Sequence, residues 1–186
     1  MAKIILISGG ARSGKSTFAE QLALQMDKPI AYLATAQALD QEMAERIKNH
    51  QKRRPAHLFH TFEEPYNLKE VLLQHHQQYR TWLLDCLTLY ISNLLFAQVD
   101  ANTEINQNLS TELAEKLLSQ LNALLTTLAE LELTIIVVTN EVGWGLVPAD
   151  PVSRAYRDIL GIVNQRMAAA ADEVYLLTMG IPLKIK

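Results

Sequence analysis

Residues 9–16, Gly9-Gly10-Ala11-Arg12-Ser13-Gly14-Lys15-Ser16, satisfy G-x-x-x-x-G-K-S two residues after the apolar run Lys3-Ile4-Ile5-Leu6. The spacing is that of a phosphate-binding loop. Glycines permit a tight turn in which successive backbone N–H groups converge on one anion, and a helix opening near Lys15 adds the positive end of its dipole. Lys15 then contacts the β- and γ-phosphates, and the Ser16 hydroxyl ligates Mg²⁺. The plainer alternative is a glycine-rich turn between strand and helix that binds nothing. Motif and context together point to a nucleoside triphosphate.

Sites of this kind use a carboxylate at the end of a neighbouring strand to orient the metal, directly or through water. Asp85, after Trp82-Leu83-Leu84, is the best placed residue. Its alternative role is to cap the N-terminus of the helix that follows, and the two roles are compatible.

A second constellation lies between Asp40 and Pro55. This stretch reads as a helix closed by its proline, because the residue before proline avoids helical angles. At about 100° per residue, Met43 and Ile47 share a face with His50, while Arg46 and Arg53 flank it. Positive neighbours lower a histidine's pKa and keep its imidazole neutral, hence nucleophilic. The same arginines would hold incoming phosphates and stabilise charge developing at an attacked α-phosphorus. The competing reading is a solvated basic helix end that complements its own dipole.

The elements that must position these groups alternate in type. Strands are predicted at Lys3 to Ser8, Ile30 to Thr35, Trp82 to Asp85 and Leu133 to Thr139. Helices are predicted at Lys15 to Met26, Asp40 to Arg53, Leu68 to Gln78, Leu87 to Ala97, Leu109 to Glu130 and Pro151 to Ala170. The fifth helix is the clearest, with Leu113, Leu117, Leu121, Leu124, Leu125 and Leu128 forming one apolar stripe. Val174 to Thr178 and Pro182 to Ile185 read as two strands around Met179-Gly180, a connection so short that they must pair antiparallel. The fold class is therefore α/β: a mostly parallel sheet of P-loop NTPase type, flanked by helices, with an antiparallel C-terminal edge. One domain spanning 1–186 is expected. The polar segment Gln98 to Gln107 reads as a mobile surface loop.

At this point the residues resemble one family from end to end. The phosphate loop, Tyr32-Leu33-Ala34-Thr35-Ala36, His50-x-x-Arg53-Arg54-Pro55, Glu63-Glu64-Pro65, Val138-Thr139-Asn140-Glu141-Val142-Gly143, Asn164-Gln165 and Ala171-Asp172 are similar, in order, to the bifunctional adenosylcobinamide kinases and adenosylcobinamide-phosphate guanylyltransferases of cobalamin biosynthesis. The resemblance implies a two-step enzyme. A nucleoside triphosphate, ATP or GTP, phosphorylates the aminopropanol hydroxyl of adenosylcobinamide. GTP then supplies GMP through a guanylyl-histidine, giving adenosyl-GDP-cobinamide.

Carried over by position, the resemblance implies that His50 is the guanylylated residue and that Lys15 is catalytic. It puts nucleotide on the loop from Gly9 to Ser16, on Ala34, Thr35 and Ala36, on Gln51, Lys52, Arg53 and Arg54, and on Glu63 and Asp85. Ser16 and Asp85 would hold Mg²⁺. The chain departs from the family in three places: Asp85 stands where glutamate is common, Leu58 and Phe59 stand where a tryptophan is usual, and Asn49 replaces a second histidine found in some members. A small homo-oligomer is implied, with a trimer among the candidates. Two other readings compete: a monofunctional P-loop small-molecule kinase, and a non-catalytic nucleotide-binding switch.

Composition bounds the partners. A net charge of −3 argues against a general nucleic-acid or membrane-surface binder, so an anionic ligand needs a local cationic site. The single cysteine, Cys86, permits no internal disulfide, and a reducing cytoplasm is the expected compartment. No run reaches the roughly 18 apolar residues of a membrane helix, so stable membrane insertion is not expected. The histidines at 57, 60, 75 and 76 lack metal-site partners and read as surface residues. Asn140-Glu141 ends a strand at the ligand-binding edge and reads equally as a ligand contact or a simple turn. Arg154 is expected to pair with Asp158 at i+4. Trp144, between two glycines, either covers an apolar ligand or is buried.

Overall fold

The computed structural model describes residues 1–99 and 106–186, except for the side chains of Arg46 and Arg53. Its strands are β1 (Lys3–Gly9), β2 (Ile30–Ala34), β3 (Phe59–Glu63), β4 (Thr81–Asp85), β5 (Thr134–Val138), β6 (Glu173–Thr178) and β7 (Ile181–Lys184). They form one sheet in the order β3-β2-β4-β5-β1-β6-β7. Every pairing is parallel except β6 with β7, as the short Met179-Gly180 turn requires. Helices α1 (Lys15–Ala23), α2 (Gln41–Arg53), α3 (Leu68–His75), α4 (Leu87–Phe96), α5 (Gln107–Glu130) and α6 (Pro151–Ala170) fall between the strands.

Parallel strands covered on both faces read as continuous apolar runs whose alternate residues enter different cores. Ile4, Leu6, Leu33, Leu84, Ile135 and Val137 face the larger core. The buried α5 leucines Leu113, Leu117, Leu121, Leu124 and Leu128 pack there as their helical spacing predicts. Ile5, Ile7, Tyr32, Leu83, Ile136 and Val138 face the other core, against Ala19 and Ala23 of α1. Each fully buried leucine contributes roughly 1.5–3 kcal/mol relative to exposure.

The register aligns one end of the sheet. Ala34 sits opposite both Glu63 and Asp85, and Asp85 sits opposite Val138. Parallel pairing thus brings the C-terminal ends of β3, β2, β4 and β5 into one row, where a doubly wound sheet binds its ligands.

Three sequence expectations need correction. The strand at Phe59–Glu63 is not among the predicted elements; it is the outer edge of the sheet, and its Phe59-His60-Thr61-Phe62 alternation is too short and polar to stand out. Arg154 does not pair with Asp158. It donates to the carbonyls of Pro148 (2.9 Å) and Ala149 (2.5 Å), while Asp158 meets Arg157 at 3.4 Å. A carbonyl pair just before the helix outcompetes a solvated i+4 partner, because exposed ion pairs contribute little. Third, Asp85 does not cap α4: the N-cap is Cys86, without a side-chain cap bond. Trp144 is 76% exposed, so burial does not apply to it. Residues 100–105, most of the predicted loop, lie outside the described residues; Asn106 caps α5 by accepting from Leu109 N–H at 3.0 Å.

Glu173 fastens the antiparallel edge. It accepts from Lys184 Nζ at 2.8 Å and Tyr175 Oη at 2.7 Å, and meets Lys3 Nζ at 2.6 Å. The bonds from Lys184 and Lys3, then from Tyr175, hold its carboxyl down at about 2 against an ordinary 4.5. A depressed folded-state pKa gives stability that is complete above 4.5 and is lost as pH falls towards 2. Glu173→Gln is therefore expected to lower urea-unfolding stability at pH 7, modestly because both lysines are half exposed. Its deficit relative to wild type should shrink between pH 4.5 and pH 2.

Candidate active site

The phosphate loop follows β1 and is shaped by two glycines. Gly9 has φ 151°, and a Cβ there would lie 2.4 Å from the Leu177 carbonyl oxygen. Gly14 has φ 96°, with Gly180 Cα 3.3 Å from where its Cβ would be. The β6–β7 turn clamps the loop from outside, Gly180 N–H donating to the Ser13 carbonyl at 3.0 Å. Gly9→Ala should thus cost about 1–3 kcal/mol, since a backbone carbonyl cannot move aside as a side chain can. Thermal unfolding would check it; an unchanged melting temperature would contradict the clamp.

Lys15 is 7% exposed and donates from Nζ to the Gly10 carbonyl at 2.6 Å, so its ammonium is folded back across the loop. Burial lowers its pKa, and the nearby Asp85 carboxylate, with Cys86, opposes that shift. The buried Ser13 hydroxyl has no hydrogen-bond partner. An orphaned hydroxyl inside a loop of converging amides suits a phosphate oxygen.

Above the loop is a cleft of about 910 Å³. Its wall includes residues 11–16 of the loop, Ala34, Ala36, Met43, Ile47, His50, Gln51, Arg54, Glu63, Asp85 and Asn140. The sequence-predicted loop and the sequence-predicted histidine thus share one space. Helix α2 presents Met43, Ile47 and His50 as its half-buried stripe. Asp40 caps its start, accepting from Met43 N–H at 2.7 Å, and Arg54 ends it in extended geometry before Pro55. The arginine cage expected around His50 falls on the side chains of Arg46 and Arg53, which lie outside the described residues.

The other predicted contacts separate by position. Gln51 donates to Glu63 Oε1 at 3.2 Å, tying the end of α2 to the end of β3. Lys52 is exposed and is not on the cleft wall, nor are Gly9 and Gly10. Thr35 is fully buried beneath the cleft; its Oγ1 donates to the Cys86 carbonyl (2.8 Å) and accepts the Cys86 N–H (2.9 Å). It fixes the backbone beside Asp85. Asn140 is held through its main chain, its N–H donating to Thr88 Oγ1 (2.6 Å) and its carbonyl accepting from Asn164 Nδ2 (3.0 Å).

Sequence reasoning assigns no role to Tyr32, Thr61 or Cys86, all of which line the cleft. Tyr32 donates to Asp85 Oδ2 at 2.8 Å, and burial followed by the Asp85 charge raises its pKa, so the phenol keeps its proton. A lone tyrosine inside an apolar strand signals a buried hydroxyl in need of an acceptor. Burial, chiefly, pushes the Cys86 thiol up to about 12, which leaves it a poor nucleophile.

Ser16 and Asp85 offer Mg²⁺ one hydroxyl and one carboxylate in the same cleft. Such a sparse oxygen set suits an ion that retains water and arrives with phosphates. Among the described residues no group of three or more His, Cys, Asp or Glu forms a metal cage. His60 and His75 instead pack on Phe62, each with ring centroids 4.7 Å apart. No helix is long and apolar enough to cross a membrane, again among the described residues.

The fold recurs in solved structures at low identity. An ATPase from the type III secretion system of pathogenic bacteria superimposes with TM-score 0.61 at 14% identity, over 96% of this chain and 52% of that one. Closer relatives share the whole chain. The bifunctional adenosylcobalamin biosynthesis protein CobU of Salmonella typhimurium is 42% identical over 184 residues, covering 98% of this chain and 99% of that protein. The bifunctional adenosylcobalamin biosynthesis protein CobP of Pseudomonas aeruginosa is 41% identical over 181 residues, covering 97% and 96%. Residues 5–185 match the family described as cobinamide kinase / cobinamide phosphate guanyltransferase, CobU. With that match and these relatives spanning nearly its full length, the chain belongs to the cobinamide kinase / cobinamide phosphate guanyltransferase family.

Proposed function

We propose that this chain performs both reactions of its family in the one cleft, phosphoryl transfer at the loop and guanylyl transfer through His50. The observation that carries the reading is the shared wall: residues 11–16 and His50 border the same space. In the first reaction the loop amides and Lys15 hold the triphosphate while the cobinamide hydroxyl oxygen attacks the γ-phosphorus. The bond from that phosphorus to the β-phosphate bridge breaks, the nucleoside diphosphate leaves, and the hydroxyl proton is released. In the second, an unprotonated ring nitrogen of His50 attacks the α-phosphorus of GTP and pyrophosphate leaves. A phosphate oxygen of adenosylcobinamide phosphate then displaces the imidazole, giving adenosyl-GDP-cobinamide.

Mg²⁺ at Ser16 and Asp85 would neutralise charge on the phosphates. Either ATP or GTP can serve the first step, since its chemistry concerns only the phosphate chain. One domain suffices for both steps, and we place them in the reducing interior of the cell. Water must be kept from activated phosphorus, and a small homo-oligomer, a trimer among the candidates, would add a covering protomer over the open cleft. Sedimentation of the native protein checks that part; a monomer at assay concentration would contradict it.

The experiment for the main reading is chromatography of adenosylcobinamide incubated with enzyme and GTP. Formation of adenosylcobinamide phosphate and then adenosyl-GDP-cobinamide supports it. Phosphate ester alone would favour a monofunctional kinase, and neither product a nucleotide-binding switch.

A further inference from the structure

We infer that Tyr32 is a positioning residue for both half-reactions, its ring face seating Arg54 at the root of the His50 helix and its hydroxyl holding Asp85 beside the phosphate loop. This rests on the functional reading above, which gives phosphoryl transfer to the loop and guanylyl transfer to His50.

Tyr32 stands in β2 at 4% exposure, between the two chemistries. On one side the Arg54 guanidinium carbon lies 3.5 Å from its ring centroid. Arg54 is the C-cap of α2, one turn beyond His50, and is itself 8% exposed. Its Nη1 reaches Glu20 Oε1 of α1 at 3.6 Å. A cation held between a ring face and a carboxylate is not a solvated helix end; it is a buried peg that sets where the last turn of α2 sits. By contrast, Glu42, Glu45, Lys48, Asn49 and Lys52 of the same helix are exposed. On the other side the Tyr32 hydroxyl occupies Asp85 Oδ2 at 2.8 Å. That bond fixes the carboxylate's rotation over the loop, where Asp85 also faces Lys15.

One ring therefore carries two separable functions. Arg54→Met removes the peg and keeps the phenol; Tyr32→Phe keeps the ring face and removes the hydroxyl. Single-turnover labelling of protein by α-phosphate-labelled GTP reports on His50, and the initial rate of adenosylcobinamide phosphate formation reports on the loop. The ratio of the first to the second should fall at least about tenfold in Arg54→Met, as expected when a nucleophile is displaced by an ångström or less. It should recover partly in Arg54→Lys, which restores a cation over the ring. In Tyr32→Phe the ratio should instead rise about threefold or more, because a hydrogen bond to a charged group is lost only at Asp85. The Mg²⁺ concentration needed to tighten binding of a fluorescent GTP analogue should rise with it. Ratios that stay at the wild-type value in both variants would overturn the inference, since a merely loosened fold depresses both rates together. Absence of label on the wild-type enzyme would overturn the functional reading and this inference with it.

Discussion

A His50→Ala enzyme is expected to lose guanylyl transfer by about 10⁴-fold or more, the scale on which removing a covalent nucleophile acts. Phosphoryl transfer should fall by less than about tenfold, because Lys15 and the loop amides are untouched. The asymmetry follows from the architecture. His50 belongs to α2, a polar helix fastened to the sheet by Arg54 on Tyr32 and by Gln51 on Glu63. The loop belongs to β1 and α1 and is clamped by the β6–β7 turn. Loss of an imidazole on the first of these leaves the second intact. Cys86 cannot substitute as nucleophile, since its thiol is held protonated near neutral pH by burial. Rates of GMP transfer and of phosphate-ester formation, measured on one preparation, test this; equal losses in both would contradict it.

Lys15→Met should lower phosphoryl transfer by about 10²- to 10³-fold, the usual cost of losing a preorganised donor aimed at developing charge. Methionine keeps the length and apolar volume of the stem, so the deficit reports on the ammonium. That ammonium is buried and already held beside the loop carbonyl of Gly10. It needs only to turn from that carbonyl to a phosphate oxygen. Guanylyl transfer should fall too, though less, because the same triphosphate is gripped while its α-phosphorus reacts. Asp85→Asn should act in part through the same group. Removing the carboxylate takes away a charge that raises the Lys15 pKa against burial, so on the alkaline side the activity of the variant should fall off at lower pH than that of wild type. Initial-rate profiles from about pH 6 to about pH 10 compare the two enzymes, and coincident profiles would count against the coupling.

Much of this is legible in the residues. The phosphate loop is a local device: glycines, lysine and serine at fixed spacing after an apolar run, with the strand and helix beside it. The Met43, Ile47, His50 stripe follows from helical periodicity alone, and its face is the one turned to the cleft. What cannot be read is what arises from pairing across the chain. β3 has a weak pattern of its own and exists because β2 offers it a partner; without it Glu63 would have no reason to meet α2. The contact of Tyr32 with Asp85 spans 53 residues and depends on adjacent parallel registers. By residue type Arg54 is one more cation in a basic helix end, and the family resemblance makes it a nucleotide contact. Only the fold shows that it turns inward onto a ring while its neighbour Lys52 stays in solvent. The Arg154 expectation fails for a related reason: i+4 spacing identifies a possible partner but not the carbonyls that the preceding loop brings nearer.

The central claim is that a nucleophile on α2 forms a bond to the α-phosphorus of GTP held in the loop's own cleft. The most direct measurement is to incubate the enzyme with GTP labelled at the α-phosphate, digest it, and locate the label by mass spectrometry under alkaline conditions that preserve a phosphoramidate. The prediction is a single GMP adduct on the His50 side chain, labile to acid, stable to base, and discharged by adenosylcobinamide phosphate. A GMP adduct on any other residue, or none on an enzyme that still makes adenosyl-GDP-cobinamide, would contradict it.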